Sequence, residues 1–363
     1  MIKVLCRTFK RAHIIIMASN TKTIYILGAG ASANALPQVS DMVDRLLLFN
    51  KFISSVISNF SGAPQLRAKI FEFVDGTKKY QTPDTFAKVL KLQRKEEEYN
   101  LFKNYLSLFF SFEQIGFSQL DFLRELTFSP EEHKLIPSLT NDLDYRYVQF
   151  ISSIFHDLSL ETLQSAQFRI ITWNYDIQFE LILSRILNCS VSEIFWKCNL
   201  PQGDSPFPLI SRMNGIAMLF KGKEKNLLID QYLQRPNWQN AIDFAETCFL
   251  ILSNNDRSWD NAMSFAWDNH IDSLPIQDIR AQNTKRVQTD HHLVIIGYSF
   301  PNFNRTIDWK LMNALAQHSR TTVYQVPEAF PESIRTLFPF ISENCNPVTD
   351  KRQFYVPNEL LGN

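Results

Sequence analysis

Glycine is scarce in this chain, 10 residues in 363, and several other features are missing altogether. None of the cysteines (Cys6, Cys189, Cys198, Cys248 and Cys345) has a partner at C-x-x-C spacing. That argues against a structural zinc site and against a disulfide framework, and the expectation is no metal and reduced, mostly buried thiols in a cytoplasmic protein. No run of about 18 apolar residues occurs, so no membrane span is expected. Net charge is absent as well. Lys+Arg and Asp+Glu both number 37, so nothing global recruits DNA, RNA or an anionic membrane surface, although a local basic patch is not excluded.

What is present is bulk and aromatic weight. The length suits one large domain or two ordinary ones, and 45% hydrophobic residues are enough for a sizeable core. Thirty phenylalanines against so few glycines suit a helix-rich, aromatic-packed protein. The N-terminus carries Lys3, Arg7, Lys10 and Arg11 before a short apolar stretch, His13–Ala18, too short for a secretory h-region. Residues 1–22 read as an N-terminal extension outside the fold, with Met17 as the working start. A small tail peptide is the alternative.

Apolar strands alternate with helices. Thr23–Leu27 reads as a strand, and from about 41 to 165 the pattern is helical, with acids opening the first helix at Asp41-Met42-Val43-Asp44 and Pro83-Asp84 opening another. Phe168–Thr172 returns to strand character and Ile177–Leu187 is helical. Leu209–Leu219 reads as an extended pair, and 230–285 only as mixed helix and loop. His292–Ile296 is a strongly apolar strand, Asn304–Ala316 a helix and Thr321–Val326 a last strand. The fold class is α/β: a Rossmann-like, doubly wound parallel sheet covered on both faces, spanning 23–330, with a large all-helical insertion and a C-terminal segment, 331–363, packed on it.

The first strand feeds straight into Gly28-Ala29-Gly30-Ala31-Ser32-Ala33, a G-x-G-x-x-A spacing. Gly28 permits a tight turn, Gly30 lets backbone approach a phosphate and Ala33 is small enough for a helix to pack on the strand, which delivers a helix N-terminus to a diphosphate. A plain strand–turn–helix junction gives the same pattern. A dehydrogenase reading fits poorly, because Leu46–Ser55, about where the ribose-binding acid belongs, holds no Asp or Glu.

Three pieces line up in chain order: Gly28-Ala29-Gly30-Ala31-Ser32, Thr172-Trp173-Asn174-Tyr175-Asp176, and Ile296-Gly297-Tyr298-Ser299. Together they resemble the sirtuin-like superfamily, most closely its bacterial branch of NAD-consuming defence proteins, with G-A-G-x-S, T-x-N-x-D and G-[TY]-S elements. Ala35-Leu36-Pro37 stands where sirtuins have Gly-Ile-Pro, and Pro83-Asp84-Thr85-Phe86 is similar to a helix start of the bacterial branch. The resemblance implies NAD+ as substrate. Ala29 and Ser32 would lie along the diphosphate and ribose, Asn174 would contact the ribose and position the attacking water, and Asp176 would anchor the carboxamide. Gly28, Gly30 and Thr172 belong to the same binding elements. Gly297 and Ser299 would hold the adenosine half, with Gln325 near its ribose. It also implies an NAD-depleting effector of antiphage defence, acting as a homo-oligomer or with a partner protein.

Two departures matter. The four-cysteine ribbon of sirtuin deacylases is missing, which argues against deacylation. In the family's [KE]-L-H-G element this chain reads Arg212-Met213-Asn214-Gly215, so Asn214 stands in place of the catalytic histidine. An amide cannot take a proton near neutral pH, and loss of a general base typically costs about 10²–10⁴ in rate. His270, His291 and His292 are the candidate replacements from the later half. The latter two precede their strand at its N-terminal end, the wrong end for a doubly wound site, and read as surface residues. Plainer roles stand beside the chemical ones. Asn174 can bond a turn, Asp176 can cap the helix after it, Ser299 can be a turn residue and Trp173 can be packing. The readings left open are an NAD+ hydrolase and a catalytically impaired NAD- or ADP-ribose-binding module that regulates or scaffolds a partner. With neutral net charge, strong nucleic-acid binding by this chain alone is not expected.

Overall fold

The computed structural model describes residues 21–117, 143–201, 208–222, 226–233, 237–254, 256–268, 291–316, 318–325, 336–342 and 345–361. Residues 1–20 of the expected extension, 1–22, and His270 lie outside them, while Lys22 is bonded to Gln167 and His292 and so belongs to the fold. Along the chain run β1 (Thr23–Leu27), α1 (Met42–Val56), α2 (Ala63–Tyr80), α3 (Pro83–Leu92), α4 (Glu96–Ile115), α5 (Tyr145–Ile154), α6 (Leu160–Gln164), β2 (Phe168–Thr172), α7 (Gln178–Leu187), α8 (Val191–Asn199), β3 (Ile210–Arg212), β4 (Gly215–Lys221), β5 (Asn226–Leu227), α9 (Trp238–Leu252), β6 (Trp259–Met263), β7 (His291–Ile296), α10 (Arg305–Ala316), β8 (Ser319–Gln325) and β9 (Cys345–Val348). Among the described residues no helix is long and apolar enough to cross a membrane.

These elements fall into two units. The first holds the sheet β3-β2-β1-β7-β8-β9, with every neighbouring pair parallel. Counted on its own strands, that is the order 3-2-1-4-5-6 of a Rossmann-like fold, and the winding reverses between β1 and β7. Strand alternation sorts the side chains. Ile24, Ile26, Ile171, Leu293, Ile295 and Tyr324 join Leu311, Met312 and Leu315 of α10 in one core. Tyr25 points the other way, edge-on to Phe150 of α5 at 4.9 Å, and Phe150 in turn meets Phe179 of α7. Both faces of the sheet are thus covered by helices.

The second unit, Ser32–Asp144 with Gly215–Phe265, contains α1–α4, α9 and a small antiparallel sheet in the order β5-β4-β6. Here the phenylalanine content is used. Phe49, Phe52, Phe73, Phe102, Phe109 and Phe112 are fully buried among the helices. Thr82 caps α3 by accepting the Thr85 N–H at 3.1 Å, with Pro83 in the first turn, where its missing N–H costs nothing. Gly116, at φ +84°, closes α4. Arg45 and Glu113 form a two-pronged buried ion pair between α1 and α4.

Several details differ from the sequence reading. The helical block expected over about 41–165 divides, because α5 and α6 belong with the parallel sheet while 215–265, with its own small sheet, joins the helices. The glycine loop itself forms a short 3-10 turn, Ala29–Ser32, and does not open a helix that could aim its N-terminus at a ligand; the next α-helix opens only at Met42. Pro37, which has no N–H, stands among turn residues in the intervening stretch. The C-terminal segment supplies β9 as an edge strand, a contribution hidden by Pro347, a residue tolerated only at sheet edges. His291 is buried, not at the surface, although it does lie at the N-terminal end of β7.

Candidate functional site

The parallel register sets one level across the sheet. Arg212, Thr172, Leu27, Ile296, Gln325 and Val348 are consecutive neighbours at the C-terminal ends of their strands. The ladder runs one residue further, through Met213 N to Thr172 O, Trp173 N to Leu27 O, Gly28 N to Ile296 O and Gly297 N to Gln325 O. The residues that follow therefore leave the sheet at one edge. Asn214 and Asn174 leave from β3 and β2, and the two glycine loops from β1 and β7. Ligands of open α/β sheets bind at this edge, where the winding reverses.

The β1 and β7 loops interlock. Gly30 N–H donates to Gly297 O at 3.0 Å and Ala31 N–H to Gly28 O at 2.8 Å. A Cβ on Gly28 would lie 2.5 Å from Tyr298 Cα, and one on Gly30 would lie 2.8 Å from Gly297 Cα. Gly297 itself sits at φ +61°, and a Cβ there would meet Gly30 C and Ala31 N at 2.5 Å. These glycines serve a close approach of backbone to backbone; the Gly28 amide continues the ladder to Ile296 O, and those of Gly30 and Ala31 are spent inside the loops. Ala29, exposed at the tip, stands outside this interlock. The sequence reading gave Gly30 to a phosphate; in the structure its close contact is Gly297. A cation is also placed at this loop. Arg146, from α5, donates to Gly30 O and Ala31 O at 3.0 and 3.2 Å, with its guanidinium 5.1 Å from the Phe354 ring.

Beyond Gly297 the turn is strained. Phe300 is held at φ +53°, a conformation that costs a bulky residue about 1–3 kcal/mol. Its buried ring packs on Tyr298 at 4.7 Å and Phe338 at 4.9 Å. Ser299 stands exposed at the crest of this turn, and its hydroxyl has no partner among the described residues. Gln325 is not available in the same way. Its Nε2 donates to Asp350 O at 2.5 Å and Gln353 O at 2.7 Å, and its Oε1 accepts from Tyr355 N at 2.9 Å, so the amide pins the C-terminal segment. Ser32 begins the second unit, buried, with its carbonyl accepting from Ala35 and Leu36.

The β2 and β3 tips are built differently. Thr172 Oγ1 accepts the Asn174 N–H at 3.0 Å and shapes the turn, and Asn174 is buried. Asp176 Oδ1 accepts the Gln178 N–H at 3.1 Å just before α7, a local turn bond, while the N-cap position of the helix is Ile177 and carries no side-chain cap. The Asp176 carbonyl takes Arg212 Nη1 at 2.6 Å. Asn214 donates Nδ2 to Trp173 O at 3.0 Å, which fixes the orientation of its amide; its Oδ1 is buried with no partner among the described residues. Trp173 Nε1 is buried and unpaired as well, while the ring stacks on Tyr298 at 5.6 Å and an interplanar angle of 9°.

Behind these tips lies a buried network that the sequence reading missed. Arg212 pairs with Glu180 and donates Nε to Asn199 Oδ1 at 2.8 Å, and Asn199 Nδ2 reaches Glu180 Oε1 at 2.7 Å. Glu180 Oε2 has no partner among the described residues. Burial pushes the nearby Cys198 thiol well up, and Glu180 adds to this, so the thiol is an inert packing group. The signal was in the sequence: a glutamate inside Phe179-Glu180-Leu181-Ile182-Leu183 and an arginine closing a strand both need a buried partner. Which residues were the partners required the tertiary structure.

His292 bonds Thr321 Oγ1 through Nδ1 at 2.6 Å at the opposite edge of the sheet. It is no substitute for a base at the β2–β3 tips. The chain matches no protein-family model and no curated protein. The fold class, an α/β protein of Rossmann-like topology, follows from the strand order alone.

Proposed function

We propose that this protein is a sirtuin-like NAD+ hydrolase that cleaves the nicotinamide–ribose bond and serves as an NAD-depleting effector of antiphage defence in the cytoplasm, as a homo-oligomer or with a partner protein. The observation that carries this reading is the convergence of all three resembling elements on one edge of a 3-2-1-4-5-6 sheet. Ala29 at the exposed tip, Arg146 beside the loop and the unpartnered Ser299 hydroxyl are the groups that would face the diphosphate and adenosine half. Asn174 and Asp176 would face the nicotinamide ribose and carboxamide.

Nicotinamide leaves NAD+ as a neutral molecule, and positive charge develops on the ribose as an oxocarbenium-like transition state. Breaking that bond requires a partner for positive charge more than a base. A buried amide oxygen with no hydrogen-bond partner among the described residues, Asn214 Oδ1, is such a partner, fixed by the bond of its Nδ2 to the Trp173 carbonyl before the substrate arrives. Water, positioned by Asn174, then adds its oxygen to the ribose carbon that nicotinamide has left and gives up one proton to solvent, so that the products are ADP-ribose, nicotinamide and a proton.

Asn214 also supports a second reading, a binding module for NAD+ or ADP-ribose that turns over little or not at all, because an amide cannot take a proton. Nicotinamide release and ADP-ribose binding, measured on the same preparation, separate the two. The hydrolase reading expects release by the wild type that falls at least ~100-fold in Asn174→Ala. Binding without release, with turnover gained in Asn214→His, favours the module. Neither binding nor release removes both.

A further inference from the structure

Tyr298 is the hub of the turn between Gly297 and Phe300. Its carbonyl accepts the Tyr324 hydroxyl at 2.9 Å, its ring stacks on Trp173, and its own hydroxyl reaches both carboxyl oxygens of Asp308 at 2.9 Å. Asn304 Nδ2 donates to the same hydroxyl at 2.9 Å. Asp308 is 1% exposed. Among the described residues no cation reaches it and Tyr298 is its single hydrogen-bond donor. A carboxylate so placed has one proton to share between two oxygens and, among the described residues, no cation in contact with it, an expensive arrangement.

We infer that Asp308, Tyr298 and Asn304 form a proton-operated latch behind this turn, in which the charge of Asp308 sets the direction of the hydrogen-bond chain. With Asp308 ionised, Asn304 Nδ2 donates to Tyr298, and Tyr298 donates to the carboxylate. One proton taken from solvent makes Asp308 the donor to Tyr298 Oη. The tyrosine proton then turns to Asn304, whose amide rotates to offer Oδ1 as acceptor. Apart from the amide N and O of Asn304, which exchange positions, the heavy atoms keep their places, the charge leaves the core, and no atom is gained or lost except that proton.

The groups facing Asp308 agree with a switch near neutrality. From the β7 turn comes Tyr298, from the short 3-10 turn Asn302–Asn304 comes Asn304, and from β8 comes Tyr324, bonded to the Tyr298 carbonyl. Arg305, on its own helix, pulls the carboxyl down only partly. Burial raises it from 3.8 to about 8, against the pull of the Tyr298 bond and of Arg305. The folded state therefore holds this proton between those values while the unfolded chain releases it. Stability contributed by the protonated form is complete at pH values below 3.8, declines as the pH rises, and is gone above about 8. The latch does not depend on what the strand tips bind.

The test is carbon NMR of the full-length chain labelled at aspartate carboxyls, with urea denaturation run in parallel over a pH series. One resonance, absent in Asp308→Asn, is expected to titrate near pH 8. In Tyr298→Phe, which keeps the ring and removes the donor to the carboxylate, it moves to higher pH. The urea midpoint of the wild type falls as pH rises to about 8, and this slope flattens in Asp308→Asn. Titration of Asp308 in the ordinary carboxylate range, or a midpoint unmoved or lowered by Tyr298→Phe, overturns the latch. An unchanged pH slope in Asp308→Asn does the same.

Discussion

The two halves of the C-terminal sheet edge solve different problems. Between β1 and β7, glycines let two loops interpenetrate, and the amides of Gly30 and Ala31 close on the loops themselves while that of Gly28 extends the ladder. At and behind the β2 and β3 tips, Asn214 Oδ1, Trp173 Nε1 and Glu180 Oε2 are buried without partners among the described residues. Buried polar atoms are nearly always satisfied, and exceptions call for an explanation such as a ligand or a catalytic role. The difference teaches that the segment with the most legible motif is a mechanical joint, and that unmet bonding capacity sits on the side where the sequence departs from its resemblance.

A second contrast sharpens the first. Arg45 and Glu113 in the helical unit engage both carboxylate oxygens, whereas Glu180 gives one oxygen to both Arg212 and Asn199 and leaves the other alone. Removing Arg212 strands a buried carboxylate and frees the Asp176 carbonyl. Arg212→Met is expected to lower stability by about 3–5 kcal/mol in urea denaturation. The double variant Arg212→Met, Glu180→Gln should recover most of that loss. A single-variant loss under ~1 kcal/mol would mean that the network is slack and that the contrast fails.

Next in size is the joint itself. Gly297→Ala adds a Cβ at a left-handed position against the backbone of the facing loop, and a loss of about 2–4 kcal/mol is expected. Native hydrogen exchange should show both loops loosening together, because each glycine fits only if the other loop keeps its place. Loosening of the β7 loop alone would refute the interlock.

The smallest effect on stability belongs to Asn214. Asn214→Leu forfeits one hydrogen bond to Trp173 O but removes an orphaned acceptor, and the two terms nearly cancel, leaving a change within about 1 kcal/mol. Dinucleotide binding or turnover should nevertheless fall sharply. A variant equally stable and equally able to bind would show the unpaired oxygen to be a packing remnant.

The alternation of apolar strands and helices and the helical character after β1 were readable from residue periodicity, because strand and helix periods are local properties, whereas the three motifs were legible only through a resemblance. A doubly wound parallel sheet was likewise expected from that alternation, but the strand order that puts the glycine loop at the reversal point came only from the structure. Other features depended on partners distant in sequence. Glu180, Asn199 and Arg212 meet only when α7, α8 and β3 pack. Asp308 is unremarkable in a sequence until α10 turns it inward onto Tyr298. Gln325 looked free until the C-terminal segment folded over it, and β9 was hidden by its proline. Local pattern set by short-range sterics and hydrophobic period is written in the chain. Which polar atoms end satisfied or stranded is decided only when distant elements dry each other out.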